Sequence, residues 1–289
     1  PNYTFSTNEA GTITYGGSCS SSATSAFSGD NTITFNSLSD GIYSDCTITV
    51  TNSSANSITL NISSFRIDTT VTASWSAATD DVGTVTGALT SGDTTDDTAL
   101  VLSGTNESGS SVKVYNGSTE LGAATVSGTS WSYSATVANG TIYQFNVKET
   151  DLAGNTSNPT TNFAVIGDTT APTANFTAAT DSVGTKTGAL TSGNTTDDTA
   201  LVLSGTNESG SSVKVYNGST EFGAATVSGT SWTYSATVAD GTIYQFNVKE
   251  TDLAGNASNA TTNFAVTGDT TAPTANFTAA TDNVGTVTG

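Results

Sequence analysis

Histidine and methionine are absent from these 289 residues, and arginine occurs once, at Arg66. Lys plus Arg total 6 against 25 Asp plus Glu, a formal charge of −19. Without histidine the chain lacks the commonest general base and the commonest transition-metal ligand. Without clustered cations it lacks what phosphate backbones and anionic bilayers require, which excludes nucleic acid as a partner. No apolar run reaches the length of a membrane span and no signal peptide is present, so membrane insertion is not expected. Ser and Thr hydroxyls abound, but no histidine is available to activate them. Adjacent carboxylates such as Asp96 and Asp97 point oppositely on an extended segment, which argues against a glycosidase pair. The sequence therefore reads as non-enzymatic.

What is present is strand-forming. β-Branched residues alternate with polar ones, as in Thr47-Ile-Thr-Val-Thr51 and Ser111-Val-Lys-Val-Tyr115. Regularly spaced Val, Ile, Phe, Tyr and Trp argue against the disorder that an acidic composition otherwise suggests. Asp80 recurs as Asp181 and Asp282, and 181 − 80 = 282 − 181 = 101 residues, so residues 78–178 return almost verbatim as 179–279. That period suits a whole small domain, each copy with its own core. A copied domain adds reach, which favours a structural role.

One repeat reads as seven short strands. Val71 to Ala77 is the first, followed by a long acidic loop from Thr79 to Thr98. Ala99 to Gly104, Ser111 to Tyr115, Gly122 to Val126, Trp131 to Thr136, Thr141 to Thr150 and Asn162 to Ile166 complete the set. Asn116-Gly117 and Asn139-Gly140 are tight-turn signals. Seven such strands predict an all-β sandwich, and the tandem copies predict seven-strand immunoglobulin-like β-sandwich domains in an elongated string.

Several motifs in fixed order make the fold reading more specific. They are Asp80-Asp-Val-Gly-Thr-Val-Thr-Gly87, Leu89-Thr-Ser-Gly92, Thr95-Asp-Asp-Thr98, Glu107-Ser-Gly109, Asp151-Leu-Ala-Gly-Asn155 and Asp168-Thr-Thr-Ala-Pro172. Residues 68–289 thereby resemble the tandem bacterial immunoglobulin-like repeats of giant RTX-type and biofilm-associated surface adhesins. The N-terminal part resembles a divergent subtype. Asn8-Glu-Ala-Gly11 parallels Asn106-Glu-Ser-Gly109, and Ile67-Asp-Thr-Thr70 parallels Gly167-Asp-Thr-Thr170. The expected domains are residues 1–67, lacking a first strand; 68–167; 168–268; and 269–289, a first strand with part of an acidic loop. A start without Met and a stop in mid-repeat predict a fragment, a processed product or part of something longer.

In such a sandwich Asp68, Glu107, Asp151 and Asn155 would meet at one pole, and Asp80, Asp81, Asp96, Asp97 and Asp168 at the other. The corresponding positions are Glu9 in the N-terminal part, Asp181, Asp197, Asp198, Glu208, Asp252, Asn256 and Asp269 in the next copy, and Asp282 beyond it. Ser182 in place of Asp81 weakens the case for position 81. Two carboxylates at about 4 Å repel by roughly 4 kcal/mol at an effective dielectric of 20. A Ca²⁺ ion taking six to eight oxygens would turn that repulsion into a crosslink between domains. The resemblance implies the same, since its repeats commonly use Ca²⁺ to rigidify the string. A solvated acidic loop that only maintains solubility is the alternative.

Cys19 and Cys46 fall on segments that read as two strands of one domain. A disulfide between them would contribute about 3 kcal/mol in the chain-entropy model and place the chain in an oxidising compartment; two buried free thiols are the alternative. Trp131 and Trp232 read as core aromatics, and Trp75, at the place of Phe176 and Phe277, does too. Lys113 reads as outward-facing, which disfavours an isopeptide bond with Asn146.

These readings converge on an extender region of a secreted or cell-surface fibrous adhesin. Its partners would be neighbouring repeats or identical subunits in a fibre, with host or substrate surfaces contacted through regions outside this chain. A different reading makes it a filament subunit that donates residues 271–289 to the open N-terminal domain of the next chain.

Overall fold

Alternation along the strands decides which side chains go inside, and the third repeat illustrates it. In the computed structural model, which describes residues 1–280 and 285, Ala200–Thr206 buries Leu201, Leu203 and Gly205 while Val202 and Thr206 face outward. Every described element is a strand.

The N-terminal part holds β1 (Asn2–Thr7), β2 (Gly11–Gly16), β3 (Ser25–Ala26), β4 (Gly29–Thr34), β5 (Gly41–Tyr43), β6 (Thr47–Asn52), β7 (Ser57–Asn61) and β8 (Phe65–Ile67). They pair as β1-β4, as β3-β2-β6-β7 and as β5-β8. Phe5, Ile13, Ile33, Phe35, Ile48, Val50 and Ile62 form its core. Cys19 and Cys46 are bonded within that core, their Cα atoms 5.3 Å apart. Either side of Cys46 the chain forms two separate strands, because β5 pairs with β8 and β6 with β2 and β7.

The middle copy holds β9 (Ala77–Asp80), β10 (Gly87–Ala88), β11 (Thr94–Thr95), β12 (Ala99–Thr105), β13 (Ser111–Asn116), β14 (Thr119–Ala123), β15 (Thr125–Ser127), β16 (Ser130–Thr136), β17 (Ile142–Thr150) and β18 (Phe163–Gly167). The third copy repeats the set as β19 (Asn175–Asp181), β20 (Gly188–Ala189), β21 (Asn194–Thr196), β22 (Ala200–Thr206), β23 (Ser212–Asn217), β24 (Thr220–Ala224), β25 (Thr226–Ser228), β26 (Ser231–Thr237), β27 (Ile243–Thr251) and β28 (Phe264–Gly268). The third copy's two sheets run β20-β19-β22-β26-β25 and β21-β28-β27-β23-β24, and the middle copy has the same order.

Between the two sheets of the third copy lie Leu201, Leu203, Val213, Val215, Trp232, Phe246, Val248 and Val266. Full burial of such a side chain contributes about 1.5–3 kcal/mol. Trp232 Nε1 donates to the Asn175 carbonyl at 3.0 Å, which ties β26 to β19. A Cβ on Gly205 would lie 2.0 Å from that carbonyl oxygen and 2.6 Å from the indole nitrogen, so only glycine lets them meet. Gly104, Trp131 and Ser74 repeat the arrangement.

Three expectations about strands are corrected. The acidic loop is not continuous: β10 and β11 interrupt it, and β11 crosses to the other sheet to pair in parallel with β18. Gly122 to Val126 is not one strand. It divides at Ala124 into β14, paired with β13, and β15, paired with β16. Val71 to Ala77 forms no strand before Ala77, although Ser76 N–H donates to the Ser103 carbonyl. The longer β19 adds a pair between Asn175 and Thr206, with an Asn175 side-chain bond to the Thr206 hydroxyl, where the middle copy has Ser74.

The C-terminal strand expected from Thr271 is absent among the described residues, and Phe277 is 85% exposed rather than in a core. No sandwich packs around it there, whereas Phe176 sits against Trp232 and Phe264. Trp131 and Trp232 are buried as expected, and Lys113 lies on the surface paired with Glu120 at 2.9 Å.

By contacts the chain separates into two compact units. One comprises Pro1–Ser76, Ser103–Tyr133 and Phe145–Asn162, the other Ala77–Leu102, Ser134–Gln144 and Phe163–Gly289. The linker at Asp68 is thus interior to the first unit and the linker at Asp168 interior to the second.

Candidate metal centre

In the first unit, β17 delivers the acidic pole. Its alternation turns Phe145, Val147 and Glu149 inward, and the chain leaves the strand at Asp151. The turn Asp151-Leu-Ala-Gly-Asn155 closes through an Asp151 N–H bond to the Asn155 carbonyl. Gly154 supplies the positive φ of 91° that the turn requires. Asn155 donates its side-chain amide to the Asp68 carbonyl at 2.8 Å and to Asp151 Oδ2 at 2.7 Å. The linker is thereby held against the turn.

That clasp gathers three carboxylates. Oxygens of Asp68, Glu107 and Asp151 all lie within 4.8 Å of one another. Glu149, wholly buried, stands behind them: one oxygen accepts the Glu107 N–H and the Ser110 hydroxyl, each at 2.6 Å. Its other oxygen, Oε2, has no hydrogen-bond partner, a costly condition for a buried anion. Desolvation pushes the Asp151 carboxyl up. Hydrogen bonds from Asn155, Ala153 and Gly154 outweigh it and hold the group below the ordinary carboxylate range. Arg66 supplies one counter-charge, to Asp68 at 2.8 Å, from a side chain that is 66% exposed.

One period later, in the second unit, the clasp returns, but Asp168, Glu208 and Asp252 do not bring oxygens within 4.8 Å of one another as the first three do. Asn256 clasps the Asp168 carbonyl at 2.8 Å, and Glu250 repeats Glu149 with its own unpartnered Oε2. Desolvation first, then the charges of Asp252, Asp168 and Glu250, raise the Glu208 carboxyl.

The same unit also contains the acidic loop of the middle copy. Asp80 Oδ1 accepts the Val82 N–H and Oδ2 the Thr95 hydroxyl. Asp97 Oδ1 accepts the Ala99 N–H, while Asp97 Oδ2 and Asp96 Oδ1 have no partner. Thr84 donates to the Gly255 carbonyl at 3.0 Å, so the loop meets the third copy's 252–256 turn. Asp96 is raised by desolvation first and then by the charges of Asp80, Asp252 and Asp97.

Other expected positions are dispersed. Asp81 and Asp197 are exposed. Glu9 accepts from Asn52 at 2.9 Å and belongs to no group of three carboxylates within 4.8 Å among the described residues. Asp181 and Asp198 have all four oxygens hydrogen-bonded, to Val183, Thr196, Ala200 and Ser182. Asp269 N–H donates to the Thr196 carbonyl, and Asp282 lies outside the described residues.

Two sets of residues escaped the sequence reading. Glu149 and Glu250 were legible from the period of two in Val-Lys-Glu, which turns the glutamate inward with the valine. Asp40, Asn139 and Asp240 each precede a glycine and grip the Asp-Thr-Thr linker that follows. Asp40 accepts from the Thr69 hydroxyl at 2.6 Å, Asn139 from Thr169 N–H at 2.8 Å and Asp240 from Thr270 N–H at 2.6 Å. Their signal was the near-constant spacing, 29, 30 and 30 residues, between an Asn/Asp-Gly turn and the first linker threonine.

A comparison with curated protein sequences returns no match. Among solved structures, fibronectin(III)-like modules of CbhA from Clostridium thermocellum are 17% identical at a TM-score of 0.42, covering 62% of this chain and 90% of that one. SGBP-B of the Bacteroides ovatus mixed-linkage glucan utilization locus, solved with a mixed-linkage heptasaccharide, is 12% identical at 0.20, covering 93% and 63%. The gamma-CGTase of alkalophilic Bacillus clarkii is 16% identical at 0.20, covering 78% and 31%. The family profile described as bacterial Ig-like domain matches residues 72–169 and, in tandem, 170–270. With two consecutive matches spanning more than half its length, the chain belongs to the bacterial Ig-like domain family.

Proposed function

We propose that this chain is a non-enzymatic extender region of a bacterial surface or secreted fibrous adhesin, stiffened by Ca²⁺ at its domain boundaries. The observation that carries the reading is the triad Asp68, Glu107 and Asp151 at a linker, backed by the unpartnered buried oxygen of Glu149. The donors are hard oxygens of the kind Ca²⁺ selects, and Asp68, Glu107, Asp151 and the Asp68 carbonyl come from a linker and two loops, so an ion there would tie domain to domain. The Arg66 ion pair is exposed and worth about 0–1 kcal/mol, too little to hold Asp68 against a divalent cation. A disulfide and tandem Ig-like domains fit an extracellular or surface location.

The test is removal of the ion. EDTA is expected to lower the melting temperature and to shorten the particle seen by small-angle scattering, with Ca²⁺ restoring both. Unchanged melting and scattering would sink the metal reading.

A second reading, head-to-tail strand donation, rests on the exposure of Phe277 and on β1, which has one strand partner and borders an apolar groove lined by Tyr3, Phe35, Ile62 and Phe65. Deleting residues 271–289 is expected to abolish filaments if it holds; retained filaments would overturn it.

A further inference from the structure

The turn Asp-Leu-Ala-Gly-Asn occurs twice with one sequence and one backbone, but only one copy of it is covered. In the third copy Asp252 N–H bonds the Asn256 carbonyl and Gly255 has a positive φ of 103°. In the middle copy Asp151 and Asn155 repeat the bond, with Gly154 at 91°. Ala254 is 1% exposed and Gly255 is buried, whereas Ala153 and Gly154 are exposed. Leu152 is 82% exposed against 62% for Leu253. The cover in the second unit is the middle copy's loop. Thr84 donates its hydroxyl to the Gly255 carbonyl at 3.0 Å, and a Cβ on Gly255 would stand 3.1 Å from the Val85 backbone nitrogen. A Cβ on Gly154 would meet nothing within 4 Å.

The sequence holds one more loop of the covering kind. Thr286-Val287 repeats Thr84-Val85, where the third copy has Thr185-Lys186. Gly285 has a positive φ of 85°, as Gly83 has one of 69°; the residues on either side of Gly285 lie outside the described ones. The strands say where such a loop would arrive. β9 lies beside β12 and leads into the loop that bonds the next linker, Asp168 N–H donating to the Thr95 carbonyl, and Asn256 holds the carbonyl of that same Asp168. β1 is the N-terminal part's counterpart of β12. Asn8-Glu-Ala-Gly11 follows it as Asn106-Glu-Ser-Gly109 follows β12, and it pairs antiparallel with β4 as β22 does with β26. Its other edge carries no strand among the described residues. The apolar groove beside it extends from Phe35 to Ile67, next to Asp68, whose carbonyl Asn155 holds. A strand laid along β1 as β19 lies along β22 would therefore deliver its following loop to the 151–155 turn.

We propose that residues 152–154 are a docking face for residues 284–287 of a second copy of this chain. The donated strand seats beside β1, and its loop then caps the turn, Thr286 donating to the Gly154 carbonyl as Thr84 does to that of Gly255. This contact rests on the strand-donation reading above and adds a second point of attachment to it. Asn283 stands where the middle copy has Asp81, so the incoming loop brings one carboxylate fewer toward Asp68, Glu107 and Asp151.

Self-association of the full chain, followed by sedimentation velocity over a concentration series, tests this together with amide exchange at residues 152–154. Ala153→Arg, which adds bulk at an exposed position, and a chain lacking residues 282–289 are each expected to weaken association about tenfold, the effect of one hydrogen bond and a small apolar contact. Combined, they are expected to weaken it no further, because both remove the same contact. Exchange at Ala153 and Gly154 should slow in the associated full chain and not in the truncated one. A chain lacking residues 271–289 is expected not to associate. If that holds while the two lesser changes leave association and exchange as they were, the turn contact is wrong and strand donation stands. If the full chain does not associate, or associates as well without residues 271–289, both fall. Circular dichroism shows whether Ala153→Arg is folded, and the truncation at residue 281 carries the test alone if it is not.

Discussion

At the scale of single residues, the chemistry turns on carboxylates whose partners are incomplete. Asp96 is raised above its ordinary value by desolvation and by Asp80, Asp252 and Asp97. A folded-state pKa above the unfolded one means that ionisation opposes folding above the raised value, and that the opposition vanishes as pH falls through it. In EDTA at neutral pH, Asp96→Asn is therefore expected to melt higher than wild type, the gap closing as pH falls through the raised value. Equal melting of the two proteins at every pH, with and without metal, would show that Asp96 bears no strain. Glu149→Ala leaves the Glu107 N–H without its acceptor and the Ser110 hydroxyl with the Glu107 carbonyl alone. It is expected to cost about 1–3 kcal/mol in denaturant unfolding. The period of two puts Glu149 and Glu250 on the valine side of their strands, but that this side is covered, and the glutamates buried, depends on the facing sheet.

Among the elements, the clasps and crosslinks matter most. Asp40 is lowered by its bonds from Thr69 first, with smaller contributions from Thr70 and Arg66, against desolvation. Its stabilising contribution is therefore present above the unfolded pKa and is lost as pH falls through the lower folded value. Asp40→Ala is expected to speed amide exchange at Thr69 and Thr70 while leaving Thr169 and Thr170 unchanged; unaltered exchange at Thr69 would remove the clasp from the account. Reducing the Cys19–Cys46 bond is expected to destabilise the N-terminal part by about 3 kcal/mol. Calorimetry should show that transition alone shifting down. Strand positions were largely legible from alternation. Their edges were not: β14 and β15 part at Ala124 because the chain changes sheets there, and no local propensity marks such a change.

For the whole molecule, copying is the main fact. A 101-residue period reproduces the core and the linker clasp together, so each duplication adds a bead and a clasp on its linker. Fold class, tandem organisation and the excess of oxygen donors were determined by the sequence alone, since alternation, turn residues and net charge are local or additive properties. The tertiary structure decided which carboxylates meet. Asp68, Glu107 and Asp151 are 39 and 44 residues apart in sequence and come together only through a linker, a loop and a turn. It also decided that near-identical loops differ, because whether a buried oxygen is satisfied depends on the groups folded against it.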